Sequence, residues 1–535
     1  MGEGLADDAG RLDALDPEHQ FEVREVRAPG LSGALLDCAG LLAAECFAHG
    51  VGELPALRRF STGLGGGGRH RRGFLSLEVG SCDRKRQRHQ GESKPGIHPR
   101  LYDGDHAWVP GQLAPTHRYD GQPVPDIDLR YRACPLCEAI SGLEFRYRED
   151  RLHAIHGDPA DALSRGHICP KGNAILDLEV DPDRLTRPVR RVGREWVTTG
   201  WDEAFGAIGQ AFHELQTRHG KSALAVYLGN PTVHHYSLMA YVPQLLRAIG
   251  SRNTFSASSV DQWPHQLVSW QMYGHQWLLP IPDLDRLDTL LVLGANPVAS
   301  NGSLMTAPDV TKRLAAIRAR GALIVVDPRR SETAAVASQH LPIRPGTDVF
   351  FLVALLQALR RLGPPRLQAY AGKIAGFDAA LACLDANPNA TTDDALLART
   401  GIEANAVRTV AARLHHSANA AVYGRMGVST QRHGTVTQYL IQLCNLYLGQ
   451  LDRVGGCLPN EPAIPLTGPG TSRGSRGRWH SRVRGLPEVS GELPVAALRE
   501  EIDTEGEGRI RGLLTVAGNP VLSTPNGAAL DRALQ

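Results

Sequence analysis

Thr289-Leu290-Leu291-Val292-Leu293-Gly294-Ala295-Asn296-Pro297 is an unbroken apolar run that stops on a glycine and an Asn-Pro pair. A short run of this kind, bounded by turn residues, predicts a buried strand over Thr289–Leu293. Downstream, Val310, Leu314 and Ile317 recur at helical spacing as far as Gly321, and Leu323–Val326 is a second apolar run that closes on Asp327. Strand, helix and strand in that order predict a βαβ unit of a parallel sheet. The same grammar appears earlier, where Phe205, Ile208, Phe212 and Leu215 form a helical stripe ending at Gly220 and Ala223–Leu228 reads as the next strand. The fold class expected is therefore α/β and multi-domain, dominated by parallel-sheet, Rossmann-like units.

One turn recurs three times, as Gly229-Asn230-Pro231, Ala295-Asn296-Pro297 and Gly518-Asn519-Pro520, and the last two share Asn-Pro-Val-x-Ser. Each follows a predicted strand, at the sheet end where α/β proteins bind ligands. Related α/β halves are the natural reading.

Residues 1–127 have another texture: one apolar stretch (Leu35–Phe47), then Gly65–Gly68, a basic cluster and Pro-rich sequence, with little to build a core. They are read as a poorly ordered extension, residues 128–190 as a small iron–sulfur-type domain, and 191–535 as α/β domains. Arg71-Arg72-Gly73-Phe74-Leu75 resembles a twin-arginine signal, but Glu78, Asp83, Arg84, Lys85 and Arg86 follow where an apolar stretch is needed. No run approaches the roughly 18 apolar residues of a spanning helix, so no membrane insertion is expected. A net charge of +2 gives no electrostatic reason to expect nucleic acid as a partner. Nine cysteines in 535 residues are too sparse for a disulfide scaffold, which favours a reducing, cytoplasmic location.

Three of those cysteines are grouped, in Cys134-Pro135-Leu136-Cys137 and Cys169-Pro170-Lys171-Gly172. Thiolates in this grouping suit zinc or an iron–sulfur cluster. A zinc ribbon wants a second close pair, and no cysteine or histidine follows Cys169 at two to four residues, so the cluster reading is stronger.

From about Arg132 to the last residue the chain resembles the bis-molybdopterin guanine dinucleotide oxidoreductases, the family of dimethyl sulfoxide reductase, formate dehydrogenase and periplasmic nitrate reductase. The resemblance is carried by Cys134-Pro-Leu-Cys-Glu-Ala, His156-Gly-Asp-Pro159, Ser164-Arg-Gly166, Cys169-Pro-Lys-Gly172 and Trp201-Asp-Glu-Ala204. It continues through Ser256–Gln262, Leu293–Pro297, Val326-Asp-Pro-Arg-Arg330, Arg344-Pro-Gly-Thr-Asp348 and Tyr423-Gly-Arg-Met-Gly427. It implies a molybdenum bis(molybdopterin guanine dinucleotide) cofactor, a 4Fe-4S cluster, a small-molecule substrate and an electron-transfer protein or subunit as partner.

Carried over residue by residue, the resemblance assigns Cys134, Cys137 and Cys169 to the cluster, with Ser141 where the family has its third cysteine. Serine oxygen is a harder, less acidic ligand than thiolate, so a cluster there is weakened, shifted in potential or lost. Lys171 matches the lysine between cluster and pterin. Gly294, Asn296, Asp327, Arg329, Gly346, Thr347, Asp348, Gly424, Met426 and Gly427 are the implied nucleotide and pterin contacts. Small residues let backbone N–H groups approach a pyrophosphate, and an acid at the next strand end can bond a ribose or guanine. Asp261 is a candidate metal ligand or nearby acid, His265 a candidate proton carrier and Arg425 an anion contact. Leu267 falls where formate dehydrogenases carry their metal ligand, which argues against formate oxidation by that scheme.

The activity expected is two-electron transfer between a small substrate and an electron-transfer chain. Two alternatives stand beside it. Ser141 and an ending before the family's C-terminal pterin-binding domain are also what an inert or split fragment would show. The weaker one is a zinc-binding α/β protein without pterin.

Overall fold

A computed structural model describes residues 127–535, apart from 306, 386–392, 460, 462–464 and 468–470. The expectations for 1–126, the Arg71-Arg72 pair among them, lie outside the described residues.

Strands β1 (Asp128–Ala133), β2 (Gly142–Arg148) and β3 (Arg151–Gly157) make an antiparallel sheet with β2 in the centre. Glu149 and Asp150 both take positive φ, 48° and 59°, as a tight hairpin turn between β2 and β3 requires. Leu143, Phe145 and Ile155 close a small core with Cys134. Ala133 pairs with Gly142, so the segment 134–141, which carries the cysteine pair, is the loop joining β1 to β2.

A hairpin of β4 (Val189–Val192) and β5 (Glu195–Thr198) precedes helix α1 (Trp201–His219). The predicted stripe of α1 is covered only toward its carboxyl end. Phe212 packs against Leu224, Val226 and Ile249, whereas Phe205 and Ile208 are 64% and 46% exposed. Helical spacing identifies a face but not how far its neighbour extends. Strand β6 (Leu224–Leu228) begins one residue later than expected, because Lys221–Ala223 forms a short 3-10 turn.

Two parallel sheets follow. In the smaller one, β6 lies between β7 (Thr254–Ser256) and β16 (Gly512–Val516). In the larger, β9 (Thr289–Leu293), β10 (Ala322–Val326), β11 (Gln339–Leu341) and β12 (Ala420–Gly424) run in the order β11-β10-β9-β12. Every residue of β9, β10 and β12 is buried, which is why their sequences are apolar throughout rather than alternating. Antiparallel pairs β8 (Pro280–Pro282) with β13 (Cys457–Pro459), and β14 (Arg476–His480) with β15 (Pro487–Val489), complete the strands.

The helices that bear on the site are α2 (Trp263–Tyr273), α3 (Val310–Arg320), α4 (Asp348–Leu362) and α5 (Gly434–Tyr447). On α3 the predicted stripe Val310, Leu314 and Ile317 is buried. From α5, Asn445 accepts the N–H of Val422 and donates to its C=O, both at 2.8 Å, which satisfies the free edge of β12 without another strand.

Strand order locates the crevices. The chain leaves β9 toward β10 and β11, then returns to place β12 on the other side of β9. In the smaller sheet it leaves β6 toward β7 and returns at β16 on β6's other side. Each reversal is a topological switch point, where open α/β sheets hold ligands at the carboxyl ends of the strands.

Candidate functional site

At the β9/β12 switch point two glycines bring backbones into contact. Gly294 has φ of +53°, and a Cβ there would lie 2.7 Å from the Val428 nitrogen and 2.9 Å from Gly427 Cα. A Cβ on Gly427 would in turn lie 2.8 Å from Gly294 Cα, and the Gly427 N–H donates to the Gly294 carbonyl at 2.9 Å. Any side chain at either position would part the two strand ends. Gly424 serves differently: a Cβ there would meet Ile441 at 2.4 Å and Val428 at 2.7 Å, so it lets α5 pack beneath the loop. Met426 is 52% exposed beside this crossing.

Side chains of later elements gather around the crossing. Asp348 opens α4 and is 5% exposed. Its carboxylate accepts the Gln431 amide N–H at 2.9 Å, and that nitrogen also donates to the Gly427 carbonyl at 3.1 Å. The Gln431 side-chain oxygen is buried and has no hydrogen-bond partner. Burial pushes the Asp348 pKa upward against the Gln431 bond, and the charge of Asp327 adds to the rise. Asp327, half-buried after β10, accepts the Arg329 N–H at 2.8 Å. Thr347 donates to the Arg344 carbonyl at 2.6 Å, and Gly346 has φ of +76°.

Two of the sequence candidates are otherwise engaged. The Asn296 side-chain oxygen accepts Thr333 N–H at 3.1 Å and its hydroxyl at 2.8 Å, while its amide donates to Glu332 at 2.5 Å. Asn296 therefore ties the β9 loop to the loop after β10. Arg329 lies 3.2 Å from Glu332. Glu332's own backbone N–H, then Asn296 and Arg329, hold its carboxyl down to about 2.

Beside the crossing, Arg425 reaches back to Asp261 at 3.3 Å and donates to the Gln262 side chain at 3.3 Å. Burial raises the Asp261 pKa, Arg425 opposes the rise, and the charge of Glu138 adds to it. His265, one turn further along, is 1% exposed, and neither ring nitrogen has a partner. Burial and then the Arg425 charge lower its pKa to about 3, so the ring is neutral near neutral pH and is no acid there. The Tyr423 hydroxyl is also buried without a partner, and burial raises its pKa.

The cysteine loop adjoins this region, since Glu138 acts electrostatically on Asp261 and on Tyr423. Cys134 is buried, and Cys137 and Cys169 are partly so. Burial pushes the Cys134 thiol up, Cys137 and Cys169 add to the rise, and Lys171 opposes it. Lys171 is exposed in the short helix Pro170–Asn173. A Cβ on the next residue, Gly172, would lie 3.9 Å from the Cys134 sulfur. Ser141, 5% exposed, accepts the Cys134 N–H through its carbonyl at 2.8 Å. Among the described residues, no three His, Cys, Asp or Glu side chains are placed to hold a single metal ion.

Sequence reading missed Glu138, Tyr423 and Glu332, and did not assign Gln431 a role. Glu138 and Tyr423 lie inside quoted motifs, as neighbours of residues that drew attention first. Gln431 is legible only once α4 and the β12 loop are seen together.

The Fe4S4 domain model of the molybdopterin oxidoreductases matches residues 132–179, and the molybdopterin oxidoreductase model matches residues 184–361. Over 410 residues the chain is 28% identical to the assimilatory nitrate reductase of Haloferax mediterranei, covering 72% of this chain and 53% of that protein. Over 446 residues it is 25% identical to a nitrate reductase of Symbiobacterium thermophilum, covering 75% and 56%. The chain thus spans about half the length of these curated relatives. Its fold is similar to that of acetylene hydratase from Pelobacter acetylenicus, with TM-score 0.61 and 17% identity over 76% of this chain and 59% of that one.

The matched domains indicate a molybdenum–pterin cofactor and a 4Fe-4S cluster. The residues present fit the first: beside the Gly294–Gly427 crossing the Gln431 side-chain oxygen is buried without a hydrogen-bond partner and is left for a donor. They fit the second with three thiols and one serine. Residues 132–179 and 184–361 thus carry the Fe4S4 and molybdopterin domains of the molybdopterin oxidoreductases.

Proposed function

We propose that this chain works as a molybdenum–pterin oxidoreductase, passing two electrons between a small substrate and an electron-transfer protein or subunit. The observation that carries the reading is the β9/β12 crossing, furnished with the buried Asp348–Gln431 pair and adjoining the Asp261–Arg425 pair. When bound, the molybdenum group supplies the two-electron chemistry and the cluster accepts or donates electrons singly.

In this reading Gly294 and Gly427 admit the pyrophosphate, with Met426 on the lip of the crossing. Asp327, Gly346, Thr347 and Asp348 hold the nucleoside end, and the orphaned Gln431 oxygen accepts from the guanine. Asp261 offers a hard anionic oxygen to the metal or holds a proton beside it. Arg425 fixes the position of Asp261 and presents positive charge to a small anionic substrate. His265 and Tyr423 are neutral hydrogen-bonding groups behind that pair. Lys171 lies between the cysteine loop and the pterin. Cys134, Cys137, Cys169, Cys444 and Cys457, none of them in a disulfide, accord with a reducing, cytoplasmic setting.

The test is metal and nucleotide analysis of protein purified from a molybdenum-replete host. Molybdenum and acid-released guanine nucleotide should appear together and be lost together in Gly427→Leu. Oxidation of reduced viologen by nitrate or thiosulfate, or reduction of ferricyanide by sulfite, would then identify the substrate. Protein free of both molybdenum and guanine nucleotide would overturn the reading.

A further inference from the structure

A 4Fe-4S cluster has four iron corners and ordinarily takes four thiolates. Cys134 and Cys137 share the loop between β1 and β2, and the short helix that Cys169 caps comes up against it, a Cβ on Gly172 lying 3.9 Å from the Cys134 sulfur. The other described cysteines lie elsewhere: Cys444 and Cys457 are in the main core, and Cys383 packs against it. What the loop offers as a fourth donor is Ser141, withdrawn from solvent and held beside Cys134 by a 2.8 Å backbone bond. The residue before it, Ile140, has φ of 41°, a left-handed conformation that a β-branched side chain adopts only at a cost. Its N–H donates to the Cys137 carbonyl at 3.1 Å, so the loop is closed between the cysteine pair and Ser141.

We propose that this chain holds its cluster unevenly, with three irons on the thiolates of Cys134, Cys137 and Cys169 and the fourth on the side-chain oxygen of Ser141. This rests on the cluster being bound, as the matched Fe4S4 domain indicates. Oxygen is a hard ligand set against three soft ones, and an alcohol is far less acidic than a thiol, so the Ser141 corner is the weak one. One-electron oxidation then releases that corner. The cluster passes from [4Fe-4S]2+ to [3Fe-4S]+ with loss of Fe2+, and the electron goes to an outer-sphere oxidant such as ferricyanide, which becomes ferrocyanide.

The experiment uses the full chain and its Ser141→Cys and Ser141→Ala variants, reconstituted anaerobically with iron and sulfide and titrated with ferricyanide. Released ferrous iron is read with a chelator, and the three-iron cluster by electron paramagnetic resonance. The wild type should release about one iron in four and gain the three-iron signal. Ser141→Cys should keep all its iron at the same oxidant, and Ser141→Ala should carry the three-iron cluster before any oxidant is added. A wild type that keeps four irons through the titration would overturn the proposal while leaving the cluster in place. So would an alanine variant indistinguishable from wild type, or a wild type that binds no cluster while Ser141→Cys binds one. Absence of iron from all three proteins would instead remove the cluster reading itself, and the proposal with it.

Discussion

The crossings at β9/β12 and β6/β16 solve one backbone problem twice and furnish it differently. In both, a parallel pair ends with glycine against glycine: Gly294 with Gly427, and Gly229 with Gly518, where a Cβ on Gly518 would lie 2.7 Å from Gly229 Cα. In both, an Asn-Pro follows. Asn296 spends its side chain on the neighbouring loop, whereas Asn519 caps its own short helix, accepting Val521 N–H at 3.0 Å and Leu522 N–H at 3.4 Å. Behind β9/β12, two strands buried throughout, stand Asp327, Asp348 and Gln431. Beside β6/β16 the strand β16 is only half-buried, and Trp201, Phe205 and Leu522 are exposed. Close backbone approach is the part the fold repeats; the side chains behind it make one crossing more specific than the other.

The sharpest way to break that comparison is to add a side chain to each crossing. Gly427→Leu should abolish retention of guanine nucleotide and molybdenum, and Gly518→Leu should cost less of both, as measured by metal analysis and nucleotide release. Equal losses would mean that the acids behind β9 add nothing. Next in size, Asn445→Ala leaves a buried N–H and C=O of β12 unpaired, each costing about 1–3 kcal/mol. Asn519→Ala at an exposed cap should cost only about 1 kcal/mol. Urea midpoints of the two variants would rank them, and the reverse order would contradict the account of the β12 edge. Gln431→Leu removes the donor to Asp348 and strands a buried carboxylate, so nucleotide retention should fall by about tenfold with little change in fold.

The smallest effect expected is one of pH. Glu492 accepts a hydrogen bond from Ser256 at the end of β7, and burial pushes its pKa up from 4.5 to about 7. A carboxyl raised by folding adds stability that is fully present below pH 4.5 and lost as pH rises through about 7. Unfolding of Glu492→Gln should therefore be less sensitive to pH across that window than unfolding of the wild type. Parallel profiles would show that Glu492 titrates normally.

Much of the larger sheet was legible because its strands are buried on both faces and therefore apolar throughout. Thr289–Leu293 and the stripe on α3 follow from local pattern alone. The exposed half of α1 did not, because a stripe at Phe205 and Ile208 signals a core that only neighbouring structure can supply. The strand β16 pairs with β6 across most of the chain, and Arg425 meets Gln262 from 163 residues away, which no local pattern encodes. Of the candidate residues, the glycines were readable from sequence and the polar ones less so. A glycine's role is fixed by the backbone around it. Asn296 and Arg329 could bond to a ligand or to Glu332 and Thr333, and only the fold shows which is in reach.

The central claim, that the pterin nucleotide is held at the β9/β12 switch point, is tested most directly by amide hydrogen exchange on cofactor-loaded and cofactor-stripped protein. Loading should slow exchange at 294–297, 346–348 and 424–431 beyond any change in the sheet strands themselves. Unchanged exchange in those three segments, with molybdenum and guanine nucleotide bound, would contradict it.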